Sequence, residues 1–219
     1  MKNYSENILF SPIFAGISAS QLPEATACLG IFEKSFARDE LILRSGEPTE
    51  LVGVIIDGSV EVRQDDFWGN RSVIAALSSG DCFAETFAAA GVPLTVDVAA
   101  KSACRIAFFS VSGLLSVSGE CSIKALMEAN FIRLLAQKNL LLNERQTHMS
   151  QRSTREKLLS YLSSQARAAG SSAFTIPMNR QQLADFLAVD RSGLSTALSR
   201  LRDEGVVESD GSTFRLTRL

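Results

Sequence analysis

The chain is poor in the residues that build metal and redox centres. It holds one histidine, His148, and four cysteines, Cys28, Cys82, Cys104 and Cys121. No two cysteines form a C-x-x-C pair, which argues against structural zinc, and their scattered spacing is no disulfide framework. They are read as small buried hydrophobes of a reducing compartment. One histidine cannot build a multi-histidine metal site within a single chain, so a metal-dependent β-barrel enzyme is disfavoured. No catalytic or metal-ligating residue is assigned, and His148 is read as solvated. No run is long and apolar enough to span a bilayer. Met1–Phe10 lacks a charged-then-apolar signal pattern, so a cytoplasmic protein is expected.

A basic excess is also missing from the whole chain, whose net charge is −2. Its distribution is uneven. Residues 1–149 hold 12 Lys and Arg against 17 Asp and Glu, whereas residues 150–219 hold 10 against 7. Phosphate binding needs only local positive charge, so the C-terminal third is the place to look for a polyanion contact. The hydrophobic content of 46% is ample for packed cores.

Three zones follow one another: 1–118, 119–149 and 150–219. The first opens with a short helical patch near Ser20–Leu29 and then turns strand-like. Val52–Ile56 and Val60–Val62 flank Asp57-Gly58, a hairpin signal. Val73–Leu77, Val96–Ala100 and Arg105–Phe109 are further strands. Gly46, Gly58, Gly69, Gly80 and Gly91 recur at intervals of 11 or 12 residues. Turns at that spacing predict an antiparallel roll or barrel. In the second zone Ile123, Met127, Phe131, Leu134, Leu135, Leu141, Leu142 and Met149 fall on one face at helical spacing. Lys124, Glu128, Lys138 and Glu144 lie mostly elsewhere. This predicts a long helix that covers its own roll and pairs with a second copy. Met127, Phe131, Leu134, Leu135, Leu141 and Leu142 are the expected dimer contacts. The polar face is not rich in Lys and Arg, so no membrane contact is expected.

The third zone is the most specific. Ser153 and Glu156 form a capping box that starts a helix expected to stop at Gly170. Ala173–Ile176 reads as a short strand. Asn179 and Gln182 are a second helix start. The helix Arg180–Leu187 turns its core side through Leu183, Phe186 and Leu187, with Ala184 small where the next helix must pass. After Ala188-Val189, Asp190 caps a second helix, Arg191–Glu204, that buries Leu194, Ala197, Leu198 and Leu201. Val206–Ser209 and Ser212–Leu216 then flank Asp210-Gly211, a tight wing. Together these make a winged helix-turn-helix, which places its second helix in the DNA major groove. The residues expected to contact double-stranded DNA are Arg180, Gln181, Arg191, Ser192, Ser195, Thr196, Ser199 and Arg202. Ser and Thr can serve donors or acceptors on base edges, and Arg reaches guanine or phosphate.

In this order the chain resembles the Crp/Fnr family of bacterial transcription factors. Ile42-Leu-Arg-Ser-Gly-Glu-Pro48 is similar to the family's opening turn into the roll. Val54-Ile-Ile-Asp-Gly-Ser-Val-Glu-Val62 resembles its central glycine hairpin, and Gly80-Asp-Cys-Phe-Ala-Glu85 its approach to the effector pocket. Asn179–Gly205 resembles its DNA-binding signature. The resemblance implies an α+β fold. Its parts are an N-terminal antiparallel β-roll (a cyclic-nucleotide-binding-like jelly roll), a long dimerisation helix and a C-terminal winged helix-turn-helix. It implies a homodimer on an inverted-repeat operator, with RNA polymerase a further partner to which no residues are assigned. It places the effector pocket at Phe83, Ala84, Glu85, Thr86, Phe87, Leu94 and Thr95.

The departures narrow the effector. Cyclic-nucleotide sensors of the family use a Gly-Glu-Leu start and an Arg-Ser pair about ten residues on. Here the stretches are Ala84-Glu85-Thr86 and Leu94-Thr95-Val96, and no arginine occurs between Arg71 and Arg105. A cyclic phosphate would be a partly buried anion without a local cation, so cyclic AMP is disfavoured. The oxygen-sensing branch uses an N-terminal cysteine cluster for an iron–sulfur centre. Cys28 stands alone in the first 81 residues, so that cofactor is disfavoured too. Phe83-Ala-Glu-Thr86 is similar to members that respond to nitric oxide or nitrosative stress, some through haem. Haem usually needs an axial ligand such as His, Cys, Met or Tyr, and Cys82 or Cys104 could serve, although nothing in the sequence demands it. The cofactor stays open, and so does an unidentified small molecule in an apolar pocket of Phe83, Phe87, Leu94 and the long helix. A constitutive regulator with a vestigial sensor is the alternative. In the recognition helix only Arg191 keeps the residue of well-known members. Ser192 and Thr196 stand where those have Glu and Arg, and Ser195 matches the oxygen-sensing branch.

Overall fold

The computed structural model describes residues 6–65, 68, 71–116 and 122–217, which leaves Gly69, Cys121 and the boundary at residue 118 outside the described residues. The chain divides into two compact units, Met1–Ala136 and Gln137–Leu219. No helix among the described residues is long and apolar enough to cross a membrane.

The first unit is a roll of two antiparallel sheets. After α1 (Leu22–Leu29) come β1 (Phe32–Phe36), β2 (Leu41–Leu43), β3 (Leu51–Asp57), β4 (Ser59–Asp65), β5 (Arg71–Ser78) and β6 (Cys82–Phe83). Then follow α2 (Glu85–Ala90), β7 (Asp97–Ala100), β8 (Cys104–Ser110) and α3 (Val111–Leu115). One sheet has the order β1–β8–β3–β6 and the other β2–β7–β4–β5. Side chains alternate across a strand. In β3, Val52, Val54 and Ile56 face a helical layer that includes Ile13, Phe14 and Leu22. Ile55 faces the space between the sheets, with Phe36, Val60, Phe83, Val98, Ile106 and Phe108. That sheet is buried on both faces, which is why Leu51–Ile56 is a nearly unbroken apolar run.

Asp57-Gly58 is not a hairpin turn. β3 pairs with β6 and β8, whereas β4 pairs with β5 and β7. The dipeptide is the corner where the chain leaves one sheet for the other, and the β3–β8 register shifts between Ile55 and Asp57. Gly58 has φ +83°, and a Cβ there would collide with the Ala103 carbonyl and Cys104. The sequence signal marked the break between two strands, but their pairing partners are set by contacts some fifty residues away in the chain.

The helix α4 (Ser122–Met149) is the longest element. Ile123, Met127, Phe131 and Leu134 lie in the core of the roll unit, and Leu135 packs against it. Met127, Phe131 and Leu134, expected as dimer contacts, are therefore already covered by their own chain. Ile132, Leu140, Leu141 and Leu142 are exposed on the same helix. Lys124 is buried, with its ammonium donating to the Ser116 carbonyl and hydroxyl. Asn130 Nδ2 donates to the carbonyls of Ile13 and Ala15, at 3.1 and 2.8 Å, and fastens the N-terminal segment to the helix.

The second unit contains α5 (Thr154–Ala169), β9 (Ala173–Thr175), α6 (Arg180–Phe186), α7 (Arg191–Asp203), β10 (Val207–Asp210) and β11 (Thr213–Leu216). Both halves of the Ser153–Glu156 capping box form, and Gly170 ends α5 in the left-handed conformation that glycine favours. The strand order is β10–β11–β9. Asp210 pairs with Thr213, so the two-residue loop of the wing is Gly211-Ser212, one residue later than the Asp-Gly signal placed it. Leu158, Tyr161, Leu162, Leu183, Leu194, Leu198, Leu201 and Phe214 form the core, each full burial stabilising by about 1.5–3 kcal/mol.

His148 is not solvated. It is 2% exposed, edge-on to Tyr161 at 5.6 Å between ring centroids. Its Nδ1 lies 2.8 Å from Ser160 Oγ. A helix whose end docks on a second helical layer buries whichever residue faces that layer, and the single-helix pattern does not carry that information. Cys28 departs from expectation in the other direction, being exposed on α1, while Cys82 and Cys104 are buried.

Candidate nucleic-acid interface

The helix pair that would enter a groove is assembled by short-range signals. The Asn179 carboxamide oxygen accepts from the Gln182 amide at 2.9 Å, and the Asn179 amide donates to Gln182 Oε1 at 2.8 Å, so α6 starts at Arg180. Ala184 is fully buried in the core that α6 shares with α7. Ala188 turns the chain with φ +49°. Asp190 then accepts from the Gly193 amide and the Ser192 hydroxyl and starts α7. These bonds, the Ser192 hydroxyl foremost, hold the Asp190 carboxyl below its ordinary pKa.

The core side of α7 is Leu194, Ala197, Leu198 and Leu201. Its other side exposes Arg191, Ser192, Ser195, Thr196 and Arg202, and Ser199 is half-buried. The hydroxyls are not equivalent. Ser195 Oγ donates to the Arg191 carbonyl at 2.9 Å, and Ser192 donates to Asp190. Both protons are occupied, so each oxygen is left with acceptor capacity. Arg202 Nη2 donates to Ser199 Oγ at 3.2 Å. In α6, Gln181 Nε2 donates to Asp185 Oδ1 at 2.8 Å. The Arg180 guanidinium lies over the Phe214 ring of β11, 4.9 Å from its centroid, which joins α6 to the wing. Burial first, and Arg202 second, pull its pKa down.

The structure adds residues that the helical pattern did not assign. A cleft of about 390 Å³ lies between the start of α5 and the start of α7, lined by Ser153, Thr154, Arg155, Ser192, Thr196 and Arg200 among others. Arg200 follows Thr196 by one helical turn, so its spacing could have placed it there. Arg155 is paired to Glu204, with Nη1 donating to Oε1 at 2.8 Å. That link joins positions 49 residues apart and left no local signal.

Of the residues expected around an effector, Phe83 and the long helix belong to different core clusters. Phe83 is buried between the two sheets, edge-on to Phe108 at 6.2 Å between ring centroids and lying on Gly53. The α4 side chains pack on the opposite face of that sheet, beside Cys82. Alternation along β6 therefore separates Phe83 from the long helix. Ala84 takes φ +63° and precedes α2. Glu85 is buried, and the exposed Thr86 donates to it at 3.5 Å. Phe87 is half-buried, Leu94 is buried and Thr95 is exposed. The backbone of Leu94 is fixed by bonds with Glu47 and Gly46. Lys101, the nearest sequence alternative to an arginine here, pairs with Glu61 at 3.1 Å. No group of three or more His, Cys, Asp or Glu among the described residues could hold a metal ion. Burial, and the nearby carboxylates of Glu40 and Asp57, push the Cys104 thiol above its ordinary pKa.

Residues 33–135 match the family model of the cyclic nucleotide-binding domain, and residues 156–219 match that of the Crp-like helix-turn-helix domain. The nitrogen fixation regulation protein FixK of Azorhizobium caulinodans is 30% identical over 195 residues, covering 84% of this chain and 74% of that relative. The catabolite activator protein of Thermus thermophilus matches at a TM-score of 0.51 and 19% identity, over 94% of this chain and 93% of that one. CprK in complex with OCPA matches at a TM-score of 0.63 and 13% identity, over 90% and 88% of the two chains. This domain order is that of a regulator without catalytic function. The roll, the winged helix-turn-helix and a relative that spans both units together make the chain a member of the Crp/Fnr family of DNA-binding transcriptional regulators.

Proposed function

We propose that the chain works as a homodimer on an inverted-repeat operator, with α7 of each subunit in the major groove. The observation that carries this reading is the exposed face of α7. It is short-chained and polar, with Arg191 at its first turn and its start fixed by Asp190. Arg191 would take a guanine edge or a phosphate. Ser192 and Ser195, with their protons held internally, would accept from the amino groups of adenine or cytosine. Arg180, Gln181, Thr196, Ser199 and Arg202 complete the proposed contact set. The dimer would use the exposed Ile132, Leu140, Leu141 and Leu142 of α4 rather than the side chains buried in the roll. Two-fold symmetry of the subunits makes the operator an inverted repeat.

The roll would set the state of the dimer through a small effector or a redox or nitrosative signal. The buried Leu94 and the engaged Lys101 speak against an anionic ribose phosphate. The second reading, a constitutive regulator with a vestigial sensor, is favoured by the ring of Phe83, which fills the space between the sheets.

Two experiments test the DNA-reading assignment and separate the two readings of the roll. A duplex selected from random sequence with the wild-type chain should lose at least about tenfold in affinity for Arg191→Ala, the value of one good base contact. The far-ultraviolet circular dichroism should stay unchanged. Equal affinity would remove Arg191 from the reading role. A native mass spectrum of protein purified without oxygen should then show a dimer. Extra mass would favour the sensor, and a bare dimer whose affinity ignores added metabolites would favour the vestigial reading.

A further inference from the structure

The turn between α6 and α7 is held by two cations from outside the helix-turn-helix. At the end of α6 the carbonyls run out of amide partners within the helix, as at any helix C-terminus. Here four consecutive carbonyls are covered by side chains, that of Asp185 also accepting from the Ala188 amide at 3.2 Å. Arg145 Nη2 donates to the Asp185 carbonyl at 3.3 Å and Arg145 Nε to the Phe186 carbonyl at 3.1 Å. Lys157 Nζ lies 3.3 Å from the Leu187 carbonyl and 3.4 Å from that of Ala188. Arg145 belongs to α4 and Lys157 to α5. Positive charge at this end of a helix is also favourable to its dipole.

Arg145 is tied to α6 a second time. Its guanidinium lies 5.6 Å from the centroid of the Phe186 ring. That ring packs on Tyr161 of α5 at 5.4 Å and on His148 at 6.4 Å. His148 follows Arg145 by about one turn of α4 and is buried. The end of the long helix is thus keyed to α6 by a fork of two hydrogen bonds and a ring contact, while α4 residues Ile123, Met127 and Phe131 belong to the core of the roll.

We infer that Arg145 is a positioning residue that makes the helix-turn-helix turn follow the end of α4. A rotation or sliding of that end carries the guanidinium with it. The fork binds two carbonyls at once, so the turn is displaced with the helix instead of slipping past it. Lys157 holds the next two carbonyls from α5 and defines the resting position. A lysine at position 145 keeps the charge but has no planar fork to span both carbonyls.

This inference rests on α7 being the recognition helix, and the test is built to separate the two. Full-length wild type, Arg145→Ala, Arg145→Lys and Lys157→Ala are compared by hydrogen-exchange mass spectrometry and by affinity for the selected duplex. In Arg145→Ala the amides of Leu187, Ala188 and Val189 should exchange about tenfold faster, in line with losing hydrogen bonds to a charged donor. The amides of Leu194–Leu201 should keep their wild-type rates. Duplex affinity should fall about tenfold, and Arg145→Lys should recover part of it. Unchanged exchange at 187–189 overturns the inference. So does an equal increase throughout residues 158–214, since it would make Arg145 a general stabiliser. If exchange changes as expected but the wild type selects no duplex, the clamp stands and the assignment of α7 falls.

Discussion

Replacing Gly53 by alanine should damage the roll through one side chain, Phe83. The Phe83 ring lies flat against Gly53, so a Cβ there would sit 2.5 Å from both Cε atoms of the ring and closer still to Cζ. Three ring atoms cannot all give way while Phe83 stays buried between the sheets beside Phe108. Overpacking of this kind costs about 1–3 kcal/mol. Phe83→Ala alone removes a buried ring and should cost about 3–5 kcal/mol. The double variant carries the most information. With the ring gone, the alanine methyl at position 53 enters space that Phe83 vacated, so its cost should drop to within about 0.5 kcal/mol of zero. Urea unfolding followed by circular dichroism gives the three free energies. A Gly53→Ala cost that is the same with and without Phe83 would refute the contact as the cause. Gly53 is ordinary in its backbone angles, so the penalty cannot come from φ.

Two further substitutions test the helix-turn-helix. Ala188 has φ +49°, a conformation that costs a residue with a Cβ about 1–2 kcal/mol. Ala188→Gly should therefore raise stability by about 0.5–1 kcal/mol after the greater freedom of the unfolded glycine is deducted. A lower urea midpoint would contradict this. Asp190 has its folded pKa lowered by the Ser192 and Gly193 bonds. Its contribution is fully present above the unfolded value of about 3.9 and is lost as pH falls through the lower folded value. Asp190→Asn keeps a good N-cap but cannot titrate, so it should flatten that part of the acid-unfolding curve. An acid limb identical to the wild type's would remove Asp190 as its source.

The second unit was more legible in the sequence than the first. Its elements are set by neighbours within four residues: Ser153 with Glu156, Asn179 with Gln182, and Asp190 with Gly193. Leu194, Ala197, Leu198 and Leu201 needed only the helical period to be placed in the core. Where this reading slipped, it slipped by one residue, at Gly211-Ser212, because the register of a hairpin depends on both strands. The roll gave up its strands from apolar runs and glycine spacing but not their partners. Asp57-Gly58 looks locally like a hairpin whether its strands pair with each other or with strands forty residues on.

Local sequence therefore determined the kinds of elements, their caps and the polar face of α7, because those depend on hydrogen bonds and periodicities spanning one or two turns. Tertiary structure alone decided which face of each element is covered. It buried His148 against Tyr161, took Met127, Phe131 and Leu134 into the roll, and set Phe83 and α4 on opposite faces of one sheet. It also brought Arg145 and Lys157 to the carbonyls of residues 185–188, across 30 to 41 positions of chain. A helix with apolar residues on more than one side has several surfaces it can bury. Only the shapes of the layers packed against it select among them.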